Sequence, residues 1–291
     1  MAVKLENEFL CVEIAEMGAE VTRIYDKVKK TEILWEGNPV YWKRHSPVLF
    51  PNVGKTYKNK VLINGVQYPT SQHGFARDNT FTCIEAAKEK ASFMLHSSEE
   101  TKEVYPFDFE LHINYKLNRK ELTVEWRVKN RGEETMYFTI GGHPAFRFAK
   151  TEETKADYVL KVSGKDKLNY VLLDPKSGCA MVEDVHTLQL DDGTYPLSDE
   201  LFAHDALVFD HGQIEEAWLC HKDGTPYVGV RSAGFPNYGI WSVEGAPFVC
   251  LEPWMGRCDN VGYDAELSEK PNVNTVAAGE EFVKGYTIVV A

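Results

Sequence analysis

Apolar residues in this chain recur at every second position in short runs, and turn residues separate the runs. Leu10, Val12 and Ile14 alternate with other residues until Gly18 ends the series. Residues 21–25 and 33–35 then flank a charged turn over 26–30. Asn64-Gly65 stands between apolar runs 61–63 and 66–68, the pairing most favoured at a two-residue hairpin turn. Residues 107–117 alternate strictly, and 122–128 answer them across an Asn-Arg-Lys turn. A period of two places one set of side chains on each face of a pleated strand, so these are antiparallel strands with one buried and one wet face. The pattern resumes at 217–220 and 226–230 around Lys222-Asp223-Gly224, then at 238–243, 248–251 and 282–290. Helical period is confined to the vicinity of Glu99 and to 197–202. Residues 165–196 read as a long irregular insertion with a few short strands. No linker or shift in composition divides the chain, so residues 1–291 are expected to form a single all-β domain, a large antiparallel β-sandwich.

Composition narrows the class of partner. The net charge of −12, from 32 basic and 44 acidic side chains, disfavours nucleic acid and anionic membrane, which need clustered Lys and Arg. It leaves room for a small anion met by a local arginine. The six cysteines are scattered without a CxxC pair, which argues against a zinc ribbon. The N-terminus lacks an apolar signal core, and no apolar run reaches the ~18 residues of a membrane span. A reduced, cytoplasmic setting is the expectation; oligomeric state is not legible.

Phosphate-cradling glycine loops, a G-x-S-x-G elbow and H-E-x-x-H are all absent, so the chemistry must come from polar residues punctuating apolar strands. Tyr137-Phe-Thr-Ile-Gly-Gly-His-Pro-Ala-Phe146 bares the backbone at Gly141 and Gly142, where something approaches the main chain closely. His143 follows, an imidazole that titrates near neutrality, biased to extended geometry by Pro144. Read alone, it is more often a satisfied core histidine than a working one, and the other stretches change that balance. Phe248-Val-Cys-Leu-Glu-Pro-Trp-Met-Gly256 sets Glu252 at the end of an apolar run, where a carboxylate is costly unless paired or working. Burial would raise its pKa and suit it to general-base work; pairing with Arg257 is the structural alternative. Trp254 offers a flat apolar face for a sugar ring. Arg44, and Gln72-His-Gly-Phe-Ala-Arg77 with its second histidine, are weaker candidates for binding hydroxyls or an anion. His204-Asp-Ala-Leu-Val-Phe-Asp-His211 collects imidazoles and carboxylates, but Asp205 and Asp210 fall on opposite faces of one strand, so no metal site is expected.

Taken in order, Ser-Pro-Val-Leu-Phe-Pro-Asn-Val-Gly, Gln-His-Gly-Phe-Ala-Arg, Tyr-Pro-Phe-Asp-Phe-Glu-Leu, Gly-Gly-His-Pro-Ala-Phe, His-Asp-Ala-Leu-Val-Phe and Leu-Glu-Pro-Trp-Met-Gly-Arg-Cys-Asp resemble the aldose 1-epimerase (galactose mutarotase) family, in particular its LacX-like branch. The resemblance spans nearly the whole chain. It implies a galactose mutarotase-like supersandwich and a cofactor-free exchange of α and β anomers of a hexose. It further implies Glu252 as the base at the C1 hydroxyl, His143 as the acid at the ring oxygen, and His73 as a hydrogen-bonding partner nearby. Arg44, Asp205, Arg77 and Trp254 fall where substrate is bound, with Asp205 preferred over Asp210. Lys-Arg-His-Ser-Pro at Arg44 departs from the Arg-Gly-Gly of sugar-phosphate epimerases. A hexose-phosphate 1-epimerase is therefore the second expectation, and would need further Arg or Lys around the pocket. A non-catalytic carbohydrate-binding protein is the third.

Overall fold

The structure is a computed structural model and describes residues 2–291. The alternating run near residue 110 becomes the strand Phe109–Asn118, paired antiparallel with Glu121–Asn130 along its whole length. Leu111, Ile113, Tyr115 and Leu117 on its inner face are buried. Burying one such side chain is worth about 1.5–3 kcal/mol. A one-residue slip would turn all of them to water, at a cost rivalling the ~5–15 kcal/mol stability of a whole domain. Register here is therefore set by the alternation itself.

These two strands lie within a nine-stranded sheet that runs from Thr194–Pro196 at one edge, through Glu281–Val290, to Thr82–Ala86 at the other. A second, eight-stranded sheet contains Asn237–Trp241, Phe248–Met255 and Ile140–Gly142 side by side. All pairings within both sheets are antiparallel. One apolar cluster joins the inner faces of the two sheets, drawing on Trp126, Val228 and Ile288 from one and Leu207, Ile240 and Leu251 from the other. The expected large antiparallel sandwich is the observed fold. A four-stranded N-terminal meander, beginning with Ala2–Glu6, packs Leu5, Leu10, Val12 and Ile14 into the same cluster. The Asn64-Gly65 hairpin forms as expected between Lys60–Ile63 and Val66–Pro69, with Asn64 and Gly65 both at positive φ.

One expectation is corrected. Residues 165–196 are not an irregular insertion. Lys167–Leu173 and Ala180–Gln189 form an antiparallel hairpin, with one register shift between Val171 and Leu173, at the edge of the eight-stranded sheet, and Thr194–Pro196 edges the other sheet. The outer strand is wet on both faces over Glu183, Asp184 and Val185, so no apolar alternation marks it. Of the two helical traces, Glu99–Lys102 is a single α-turn capped by Ser98, and Glu200–Phe202 is a 3-10 turn.

Candidate active site

The strand Phe248–Met255 is central to its sheet and buried on both faces, which is why it reads as a near-continuous apolar run. Alternation sends Val249 and Leu251 into the main core, and Phe248 and Cys250 into a smaller cluster on the other face. Glu252 follows on that second face and lines a cleft of about 770 Å³, a volume suited to a small ligand. Its carboxyl is 1% exposed. The alternative of a pair with Arg257 does not hold: that guanidinium binds Asp210 through Nε at 2.8 Å and Nη2 at 3.0 Å. Burial, reinforced by Asp205, pushes Glu252 well above the usual carboxylate range, and the Trp254 indole N–H beside it offsets this only in part.

His143 sits at the break between Ile140–Gly142 and Ala145–Arg147, both of which pair with the Glu252 strand. Pro144 interrupts the ladder at this break, having no N–H to give, and Leu251 N–H donates to its carbonyl. The arrangement brings His143 Nε2 to 3.3 Å from Glu252 Oε2. The imidazole is 6% exposed, stacked on Trp42 at 4.7 Å between ring centroids and met edge-on by Trp241. Burial, aided by Arg77 and Arg44, pushes its pKa down to about 3. Two groups that ordinarily titrate with the carboxylate below the imidazole are thus driven in opposite directions by one dry environment.

The close approach expected at the bared backbone of Gly141 and Gly142 is made from within the protein. A β-carbon on Gly141 would lie 2.5 Å from the Trp254 indole, and one on Gly142 would lie 2.6 Å from the Tyr286 hydroxyl. Gly239, on the other neighbouring strand, would meet the same indole at 2.3 Å. The glycines make room for the protein's own aromatic rings. Trp254 lies between them, lines the cleft and keeps only 5% of its surface exposed.

His73 stands on a loop forced into left-handed geometry, with φ +67° at His73 and +68° at Gly74. A side chain at Gly74 would overlap the Phe50 carbonyl, so glycine is required there. Gly54 N–H donates to His73 Nδ1 at 3.1 Å, which leaves the ring proton on Nε2. Burial, with His143 and two arginines nearby, holds this imidazole well below its ordinary value, and its ring lies 5.5 Å from His143. Arg77 follows on the turn Ala76–Asp78, and Arg44 reaches the same corner to bind Asp78 at 2.8 Å.

All seven residues singled out from the sequence line this one cleft. Asp205 and Asp210 part: Asp205 faces the cleft, whereas Asp210 is occupied by Arg257 and by Asn237 at 2.7 Å. The imidazole–carboxylate stretch 204–211 therefore does not gather around one point. Among the described residues the cluster of metal-capable donors is instead His143, Cys250 and Glu252, within 4.8 Å of one another. Its thiol is pushed well above the ordinary value by burial and by Glu252, so it is held protonated. Trp42, Trp241, Lys43 and Lys55 also line the cleft and were not foreseen; Trp42 lies two residues before Arg44, in a loop without strand alternation.

A family model for aldose 1-epimerase matches residues 1–261. The chain is 30% identical over 298 residues to the plasmid-encoded protein LacX of Lactococcus lactis subsp. lactis, covering 100% of this chain and 99% of that one. A galactose mutarotase related enzyme from Lactobacillus acidophilus superposes with a TM-score of 0.94 at 32% identity, covering 100% of this chain and 97% of the other. A galactose mutarotase-like protein from Lactobacillus casei gives 0.90 at 27% identity, over 100% of both chains.

Proposed function

This chain belongs to the aldose 1-epimerase family, and we propose that it interconverts the α and β anomers of a hexose without a cofactor. The observation that carries this reading is the 3.3 Å approach of His143 to Glu252 on the wall of an open cleft. Anomer exchange needs one group to take the C1 hydroxyl proton while another protonates the ring oxygen. Glu252 is the base and His143 the acid. The C1–ring-oxygen bond breaks, leaving an aldehyde at C1 and a hydroxyl at C5. Rotation about C1–C2 presents the other carbonyl face, the C5 hydroxyl attacks it, and both proton transfers reverse. No proton or electron is gained or lost over the cycle, so the reaction asks nothing of a cofactor.

The pair must carry one proton in total. At rest, desolvation favours the neutral form of each partner, with the proton on Glu252 and His143 uncharged. The working form, carboxylate and imidazolium, differs from it by one proton shift. A sugar hydroxyl donating to Glu252 stabilises the carboxylate, and a ring oxygen accepting from His143 stabilises the imidazolium. Substrate therefore draws the site into its active protonation state. His73 holds a hydrogen bond near the ring oxygen; Arg44, Arg77 and Asp205 take sugar hydroxyls or substituents, and Trp254 forms part of the apolar wall.

Proton NMR saturation exchange between the anomeric signals of glucose, galactose and their 6-phosphates tests the reading. Protein-dependent acceleration with at least one sugar is expected, and His143→Asn is expected to abolish it with the fold retained. Line broadening without acceleration for any sugar would replace the enzyme with a carbohydrate-binding protein.

A further inference from the structure

The charges around the cleft are unevenly placed. Lys43, Arg44, Lys55 and Arg77 all line it, in a protein whose net charge is −12. Arg77 and Arg44 share a single carboxylate, Asp78, which lies 2.8 Å from Arg44 and 3.8 Å from Arg77 and is itself largely exposed. Arg77, whose side chain is 15% exposed, has its Nε buried with no hydrogen-bond partner among the described residues, Asp78 lying 3.8 Å from it. Burial and the neighbouring Arg44 push Arg77 down to about 10, as expected for two like charges held together out of water. Neither Lys43 nor Lys55 lies within ion-pair distance of a carboxylate among the described residues. Arg77 is held largely out of water, and an anion in the cleft would add to the single carboxylate it shares with Arg44.

The position of the gathering is specific. Arg77 and Arg44 both act on the two histidines, whereas Asp205 acts on Glu252. The two arginines thus stand toward the histidines and Asp205 toward Glu252, while Asp174 adds a further carboxylate to the cleft lining. With Glu252 at the C1 hydroxyl and His143 at the ring oxygen, C5 lies one bond beyond the ring oxygen, on the histidine side. The exocyclic substituent of C5 is then directed at the guanidinium pair.

We propose that the substrate is an anionic hexose, bearing a phosphate on C6 or a carboxylate at C5, whose charge is bound by Arg77 and Arg44 with Lys43 and Lys55 at the rim. This rests on the epimerase reading and names its substrate class. A guanidinium can take two oxygens of either anion in a bidentate pair, and Asp78, the one carboxylate these arginines share, is largely exposed. The departure at Lys-Arg-His-Ser-Pro is compatible with this, because the additional cations come from residues 55 and 77, distant in sequence.

The test measures saturation exchange on the intact protein with glucose, glucose 6-phosphate and glucuronate, each at low and high salt. The anionic sugars are expected to exchange with a kcat/KM at least about tenfold above glucose, the worth of one charge-assisted hydrogen bond. That advantage shrinks with added salt, whereas glucose is unaffected. Phosphate and uronate are told apart by which of the two is faster. Arg77→Met is expected to cost the preferred anion about tenfold more than it costs glucose; should the variant not fold, the salt dependence of the intact protein still decides. Exchange of glucose as fast as either anion, without salt dependence, overturns the proposal and leaves the epimerase reading standing. No exchange with any sugar sinks the epimerase reading instead. In that case, line broadening selective for the anions, or equal for all three sugars, still decides the anion preference.

Discussion

Glu252→Gln separates what this carboxyl does for catalysis from what it costs the fold. Glutamine keeps the shape and the hydrogen-bonding capacity toward His143, but cannot accept the C1 proton. Loss of a positioned base typically lowers the rate by about 10²–10⁴-fold, or about 3–5 kcal/mol of transition-state stabilisation. Stability should move the other way. Glu252 is 1% exposed and held well above the usual carboxylate range by burial. Below the unfolded-state value of about 4.3, both folded and unfolded chains carry the proton and the group contributes nothing. As pH rises through that value the unfolded chain releases its proton while the folded chain keeps it, so wild-type stability falls. The loss is about 1.4 kcal/mol per pH unit until the raised folded value is reached. Glutamine does not titrate, and the His143 contribution cancels to first order because both proteins retain it. The variant should therefore be more stable than wild type by a margin that grows with pH, at roughly 2 °C in Tm per kcal/mol. Thermal melts of both proteins from pH 5 to 8, alongside saturation exchange, make the comparison. A stability difference that stays flat with pH would show that Glu252 is not held protonated, and exchange above about a tenth of wild type would remove it as the base.

Because one proton is shared by the pair, kcat/KM should be level across the neutral range. It should fall only near the depressed His143 value of about 3 and above the raised Glu252 value. An unperturbed pair would instead lose activity on the alkaline side near 6.5, where a free imidazole gives up its proton, and a pH profile distinguishes the two. Gly239→Ala places a β-carbon 2.3 Å from the Trp254 indole. It should cost about 1–3 kcal/mol and slow exchange by displacing the ring beside Glu252; wild-type melting and activity together would contradict this packing. Arg257→Leu strips Asp210, whose side chain is 17% exposed, of its guanidinium. The expected loss is about 3–5 kcal/mol by urea unfolding, largely recovered on adding Asp210→Asn; equal loss in the double variant would rule out the unpaired charge as its cause.

The sequence by itself determined the strands whose two faces differ. Residues 109–118 and 121–130 announce themselves because each apolar side chain enters the core and each polar one meets water, and that alternation is written locally. Hairpins whose turns demand positive φ were equally legible, as at Asn64-Gly65. So was the suspicion attached to Glu252, since an acid closing a buried apolar run needs a reason to be there. The edge hairpin over 167–189 escaped because a strand wet on both faces carries no period. What Glu252 faces was not legible either. That it meets His143 and not Arg257, that Asp205 and not Asp210 opens onto the cleft, and that Gly141 and Gly239 are bare for Trp254, all follow from which strands lie side by side. Cation placement belongs with these, since Lys43, Arg44, Lys55 and Arg77 converge from three separate segments. Tertiary structure alone decided such matters, because they are distances between residues that can lie more than a hundred positions apart, and local periodicity holds no record of them.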